Sequence, residues 1–132
     1  MSVFAHGGTM THEDTNVIDT VVASIGFENG AAASVTASDA GQIPYLSKFS
    51  FQLYSNGVTA MVHNRCKSVS FSGIEGRDLD VADENFAGEL QDLARCLVEG
   101  EPSPIPAEDG TRATALVLKA FESVRTGQPQ VL

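Results

Sequence analysis

Residues 17–39 read VIDTVVASIGFENGAAASVTASD. Val17, Val21, Ala23, Ile25 and Phe27 fall on one side of a two-residue period, the signature of a half-buried strand. Asn29-Gly30 follows, two residues that tolerate positive φ and therefore favour a tight hairpin. From Ala31 to Asp39 the chain alternates again, with Ala33, Val35 and Ala37 against Ser34, Thr36 and Ser38. A strand, a hairpin turn and a second strand predict antiparallel pairing, because the connection is too short for a crossover.

The same pattern extends on both sides. Ser2 to Ala5 predicts a short first strand. Lys48 to Tyr54 sets Phe49, Phe51 and Leu53 against Ser50, Gln52 and Tyr54, and Asn56-Gly57 turns the chain into Val58 to His63. Lys67 to Phe71 is one more candidate strand. Beyond it the period changes. Phe86, Leu90, Leu93, Ala94 and Leu97 lie on one helical face, with Asp83 as candidate cap and Gly100 as stop. Three prolines between Glu101 and Pro106 separate this helix from a second. The second runs from about Ala107 to Arg125, with Glu108 and Asp109 in its first turn, Arg125 in its last, and Gly127 after it. Its expected apolar stripe is Ala113, Val117, Ala120, Phe121 and Val124. Strands first and helices last predict one α+β domain over 1–132: an open, mostly antiparallel sheet with two C-terminal helices packed on one face. The other face would carry Ser34, Thr36, Ser38, Ser50 and Gln52, polar but nearly uncharged.

Composition bounds the function. The chain has 132 residues, 42% of them hydrophobic, which suits one domain with one core. Its net charge is −9, and its eight basic residues are scattered, which argues against nucleic acid and against an anionic membrane as partners. Cys66 and Cys96 lack metal-ligand spacing and read as reduced thiols, Cys96 packed as a small hydrophobe. No signal-like or membrane-spanning apolar run is seen, so the cytoplasm is the expected location. Met1 opens almost directly onto strand-like sequence, as in a chain that starts mid-protein.

No complete set of catalytic groups is visible. The chain lacks the glycine-rich turns of dinucleotide and mononucleotide sites and the nucleophile elbow of hydrolases. His6, His12 and His63 lie on different segments without the spacing of a helical metal pair, and no metal is expected. His12 sits in a polar loop, Thr9 to Thr15. Tyr45 and Lys48 lie in or beside a second, Ala40 to Leu46. These three are the substrate-contact candidates, since they can hydrogen-bond hydroxyls or a carboxylate. An independent enzyme of the open-sheet type would need a buried acid/base pair, for which Asp19 and His63 are the candidates.

The closing stretch, PAEDGTRATALVLKAFESVRTG over 106–127, resembles the last helix of the Gfo/Idh/MocA oxidoreductases, with its Pro-x-x-Asp-Gly start, its small residues at helical spacing and its final Ser-x-x-x-Gly. Phe86, Glu89, Leu90, Gly100 and Pro104 are similar to the preceding helix and its proline-rich exit, and Phe27-Glu28-Asn29-Gly30-Ala31 to the family's hairpin. The resemblance implies the C-terminal domain of a two-domain sugar or polyol dehydrogenase, the part that lines the substrate site and forms subunit contacts. The family's cofactor domain, Glu-Lys-Pro segment and Asp-x-x-x-His helix have no counterpart here. No catalytic or cofactor-binding residue is therefore carried over, no activity is expected of this chain alone, and NAD or NADP is implied only for a full-length parent. A homo-oligomer through the open sheet face is the expected assembly. The alternative is a stand-alone module that binds a small ligand or a protein.

Overall fold

The computed structural model describes residues 1–41, 50–63, 66–75, 79–80 and 85–132. They form two compact units, the first from Met1–Gln42 and Pro104–Leu132, the second from Ile43–Ser103. The α+β class with antiparallel sheets and two C-terminal helices holds.

The first unit contains β1 (Ser2–Gly8), β2 (Thr20–Gly26), β3 (Ala32–Ser38), helix α2 (Ala107–Thr126) and a short closing strand β8 (Gln130–Val131), the remaining elements lying in the second unit. The strand order is β3-β2-β1-β8, antiparallel throughout. The expected short strand at Ser2 is thus seven residues long and central. It pairs with β2 along its whole length, Ser2 opposite Gly26 and Gly8 opposite Thr20. The β2–β3 turn is wider than a two-residue hairpin. Gly30 alone takes a positive φ, 85°, and the Phe27 N–H bonds the Ala31 carbonyl at 2.9 Å. Asn29 instead uses its side-chain oxygen to accept from the Ala31 N–H.

Alternation then decides the two faces. Val3, Ala5, Ala23 and Ile25 point to one side and are buried with Ala120 of α2, flanked by Met1, Val21, Leu116 and Val124. The face of α2 that packs is rotated by roughly 50° from the expected stripe, at 3.6 residues per turn. Leu116 and Ser123 turn inward, and Val117 and Phe121 remain 50% and 38% exposed. The reason is Ser123, which is fully buried. Its hydroxyl accepts from the Ala5 N–H at 3.0 Å and donates to the Gln128 carbonyl at 2.8 Å. Gly127 closes the helix in the left-handed region, φ 65°, with its N–H on the Ser123 carbonyl. Only then can Gln130 and Val131 return beside Val3 and Ser2.

The second unit contains β4 (Phe51–Ser55), β5 (Val58–His63), β6 (Ser68–Ser72), β7 (Leu79–Asp80) and helix α1 (Asn85–Glu99). Its strands pair in sequence order, antiparallel. Asn56 and Gly57 both take positive φ, 49° and 77°, which makes the β4–β5 connection a two-residue turn of the primed kind. Gln52 therefore belongs to a different sheet from Ser34, Thr36 and Ser38, and Ser50 precedes β4, so the polar face expected to hold all five is divided. Leu90, Leu93 and Leu97 of α1 are exposed; among the positions whose burial is described, Gly88 and Cys96 are buried, on the opposite side of the helix. The cap expected at Asp83 lies outside the described residues. Both cysteines are free thiols, Cys96 buried and Cys66 exposed. No described helix is long and apolar enough to cross a membrane.

Replacing Ser123 by Ala strands a buried N–H and a carbonyl. We expect Ser123→Ala to lower unfolding stability by about 1–3 kcal/mol, the cost of unsatisfied buried polar groups. Urea denaturation checks this, and a loss below a few tenths would show that neither bond matters.

Candidate functional site

The loop from Thr9 to Thr15 is organised by Asp19, which an apolar run carries into the buried face at the start of β2. Its carboxylate is the single buried charged group among the described residues, at 7% exposure. It receives three successive backbone N–H groups, from Met10 at 2.9 and 3.0 Å, Thr11 at 2.8 Å and His12 at 3.0 Å. These donors, that of His12 foremost, hold Asp19 ionised far below the usual carboxylate range, against the opposing effect of burial. The loop is tightened further by the Thr15 N–H and hydroxyl, which both donate to the His12 carbonyl, and by the Thr9 hydroxyl on the Val17 carbonyl. On the far side, the Asp39 N–H donates to the Asp19 carbonyl at 2.9 Å, so the end of β3 is tied to the same point.

His12 is exposed, and its Nε2 lies 3.9 Å from the Asp39 carboxylate, itself exposed. The imidazole is thus presented to solvent from a fixed backbone. Tyr45 and Lys48, the other two substrate-contact candidates, lie outside the described residues, as does most of the loop Ala40 to Leu46. Asp19 and His63, the acid/base candidates, belong to different units. Asp19 is saturated by loop donors within the first unit, and His63 Nε2 lies 3.1 Å from the Ser70 hydroxyl within the second. The sequence offers Asp19 only as half of an acid/base pair, and its anchoring role emerges from the structure. The signal for it is an acidic residue inside an apolar strand run, directly after a polar loop rich in free N–H groups.

The dinucleotide implied for a parent enzyme does not fit these residues. A pyrophosphate needs a strand-to-helix turn whose N–H groups face it. The start of α2 follows Pro106 and carries Glu108 and Asp109 in its first turn, which repel an anion. The sheets described are antiparallel throughout and offer no parallel strand–helix–strand unit. No group of three His, Cys, Asp or Glu side chains gathers among the described residues.

In the first unit an antiparallel sheet is covered on one face by the closing helix, and the other face is exposed among the described residues. Solved proteins share it. A protein from Thermotoga maritima assigned as an oxidoreductase superposes with a TM-score of 0.79 at 19% identity, over 100% of this chain and 40% of that one. The WlbA dehydrogenase from Bordetella pertussis, solved with NADH and UDP-GlcNAcA, gives 0.62 at 19% identity, over 99% of this chain and 38% of its own. The aldose-aldose oxidoreductase from Caulobacter crescentus, solved with glycerol, gives 0.62 at 15%, over 99% and 41%. No family model matches the sequence, and no curated protein matches it. The chain spans less than half the length of these structural relatives. Its fold is that of part of an oxidoreductase of the Gfo/Idh/MocA type.

The Asp19 anchor has a defined pH dependence. Its folded pKa is depressed, so its contribution is complete above the ordinary carboxylate value of 3.8 and is lost as pH falls below it. We expect acid to melt the loop, with amide exchange at Met10, Thr11 and His12 rising first. In Asp19→Asn those amides should exchange fast already at neutral pH. Equal protection in both proteins would refute the anchor.

Proposed function

We propose that residues 1–132 act as one domain, the substrate-binding and oligomerisation domain of a cytoplasmic Gfo/Idh/MocA-type sugar or polyol dehydrogenase, inactive by itself. The observation that carries this reading is the fold likeness, which takes in 99–100% of the chain but only 38–41% of the three relatives described. Hydride transfer needs a nicotinamide held against the substrate carbon and an acid/base group in reach. The first has no fitting residues here. In this proposal the NAD or NADP belongs to a parent's other domain, and this chain contributes a loop wall and a sheet. A stand-alone binding module is the competing outcome of the tests.

The proposed substrate contacts are His12 on the Thr9 to Thr15 loop, and Tyr45 and Lys48 in or beside Ala40 to Leu46. The sheet is the outer face of β1–β3. Register places Phe4, His6, Thr20, Val22, Ser24, Ser34, Thr36 and Ser38 on it. A solvated strand face of that size normally carries Lys and Glu. Two such faces can pack about a two-fold axis, each supplying hydroxyl donors and acceptors to the other.

Titration calorimetry with NAD and NADP should give no binding; a dissociation constant of about micromolar would overturn the reading. Sugars and inositols should shift the amide resonances of Thr9 to Thr15 and Ala40 to Leu46, with affinity of roughly millimolar because half a cleft buries little ligand surface. Shifts centred on α1 and α2 would place the site elsewhere. Thr36→Arg, which sets like charges across the proposed interface, should turn a dimer into monomers by light scattering.

A further inference from the structure

His6 occupies an unusual position on the open face. In β1, β2 and β3 it is the only residue with an ionisable side chain. It is exposed, and its ring meets the Phe4 ring edge-on, with centroids 4.7 Å apart and planes at 81°. Val22 lies directly opposite it on β2, flanked by Thr20 and Ser24. On its own strand Phe4 and Gly8 share its face. β8 reaches β1 only at Ser2 and Val3, and α2 covers the opposite side through Val3 and Ala5. No carboxylate or cation faces His6 from any of these elements. The nearby charged groups of the unit lie off this face. Glu28 is in the turn with the Met1 amine, and Asp19 and Asp39 sit on the inward register at the loop end.

We propose that the occupant of this face is a second copy of the chain and that His6 makes the assembly acid-sensitive, closed while the imidazole is neutral and opened when it takes a proton. The proposal rests on the assembly reading above and adds its regulation. A charge-free face on a chain of net charge −9 is the surface on which two like-charged copies can approach closely. Packing there removes both His6 rings from water. A neutral imidazole can share hydrogen bonds with the serine and threonine hydroxyls of the other copy. An imidazolium would be buried against a face whose described strand residues offer no carboxylate on either copy, which strongly disfavours the packed state. Imidazole is the side chain that can gain a charge at mildly acidic pH, and that choice of side chain sets the two pH values of the test. The sign is diagnostic, because acidification also lowers the net negative charge and by itself would favour association.

Analytical ultracentrifugation of the whole chain and of His6→Gln, at about pH 7.5 and about pH 5.5, tests this. The unaltered chain should dimerise at the higher pH, with its dissociation constant rising about tenfold or more at the lower one. His6→Gln should dimerise at both. Dimers that ignore pH, or that weaken equally in both proteins, would overturn the role of His6 while leaving the interface standing. A chain monomeric at the higher pH would overturn both.

Discussion

The Ser123 hydroxyl joins the closing helix and the chain just beyond it to a strand 118 residues earlier in sequence. Through Ala5 it ties the helix to the central strand, and through Gln128 it fixes the chain as it leaves the helix. The helix would otherwise be free to roll on the sheet, because its contacts there are small. Ala120 and the half-buried Leu116 and Val124 meet Val3, Ala5 and Ile25, and such a surface sets a helix's distance better than its rotation. A buried hydrogen bond has direction, and one turned off its line leaves two polar groups unpaired. This bond therefore sets which face of α2 is inward, and with it where β8 lands on β1.

Covering one face has a consequence for the other. Strand side chains alternate, so each residue committed to α2 commits its neighbours to the open side. On that side the chain carries small hydroxyl and apolar groups and one imidazole, and its acidic residues are concentrated on helices, turns and loops. A sheet side of this character has little electrostatic repulsion toward a copy of itself, a condition that favours two-fold packing.

Much of this was legible in the sequence, because it depends on local periods and turn chemistry. Val21, Ala23 and Ile25 share a side as the two-residue alternation demands, and Asn56-Gly57 makes the turn its two residues favour. Gly100 and Gly127 both end helices in the left-handed region, where the missing Cβ removes a clash. What was not legible depends on partners distant in sequence. Hydropathy placed Val117 and Phe121 inward, since it scores Ser123 as polar and cannot see Ala5 beside it. It likewise placed Leu90, Leu93 and Leu97 inward. The rank of β1 as the central strand was hidden too, because a seven-residue strand with two glycines reads weakly until its neighbours are known. Of the site candidates, His12 is proposed from the polarity of its loop, and that polarity does not reveal the carboxylate that shapes the loop.

That carboxylate bears on what the loop can do. A buried carboxylate near a polar loop suggests a general base, and the suggestion fails once its donors are counted. Three N–H groups converge on its Oδ2 and stabilise the charged form, which makes it a poor base. Asp19 thus spends its charge on the backbone of Met10, Thr11 and His12, and the result is geometry in place of reactivity. The His12 imidazole is carried on a segment whose N–H is pinned and whose carbonyl is doubly occupied by Thr15. A polar side chain on such a backbone loses little backbone entropy on meeting a ligand, which favours positioning over chemistry. In the proposed role the loop would hold and orient a hydroxylated molecule, while the Asp19 charge serves the loop's geometry and not proton transfer.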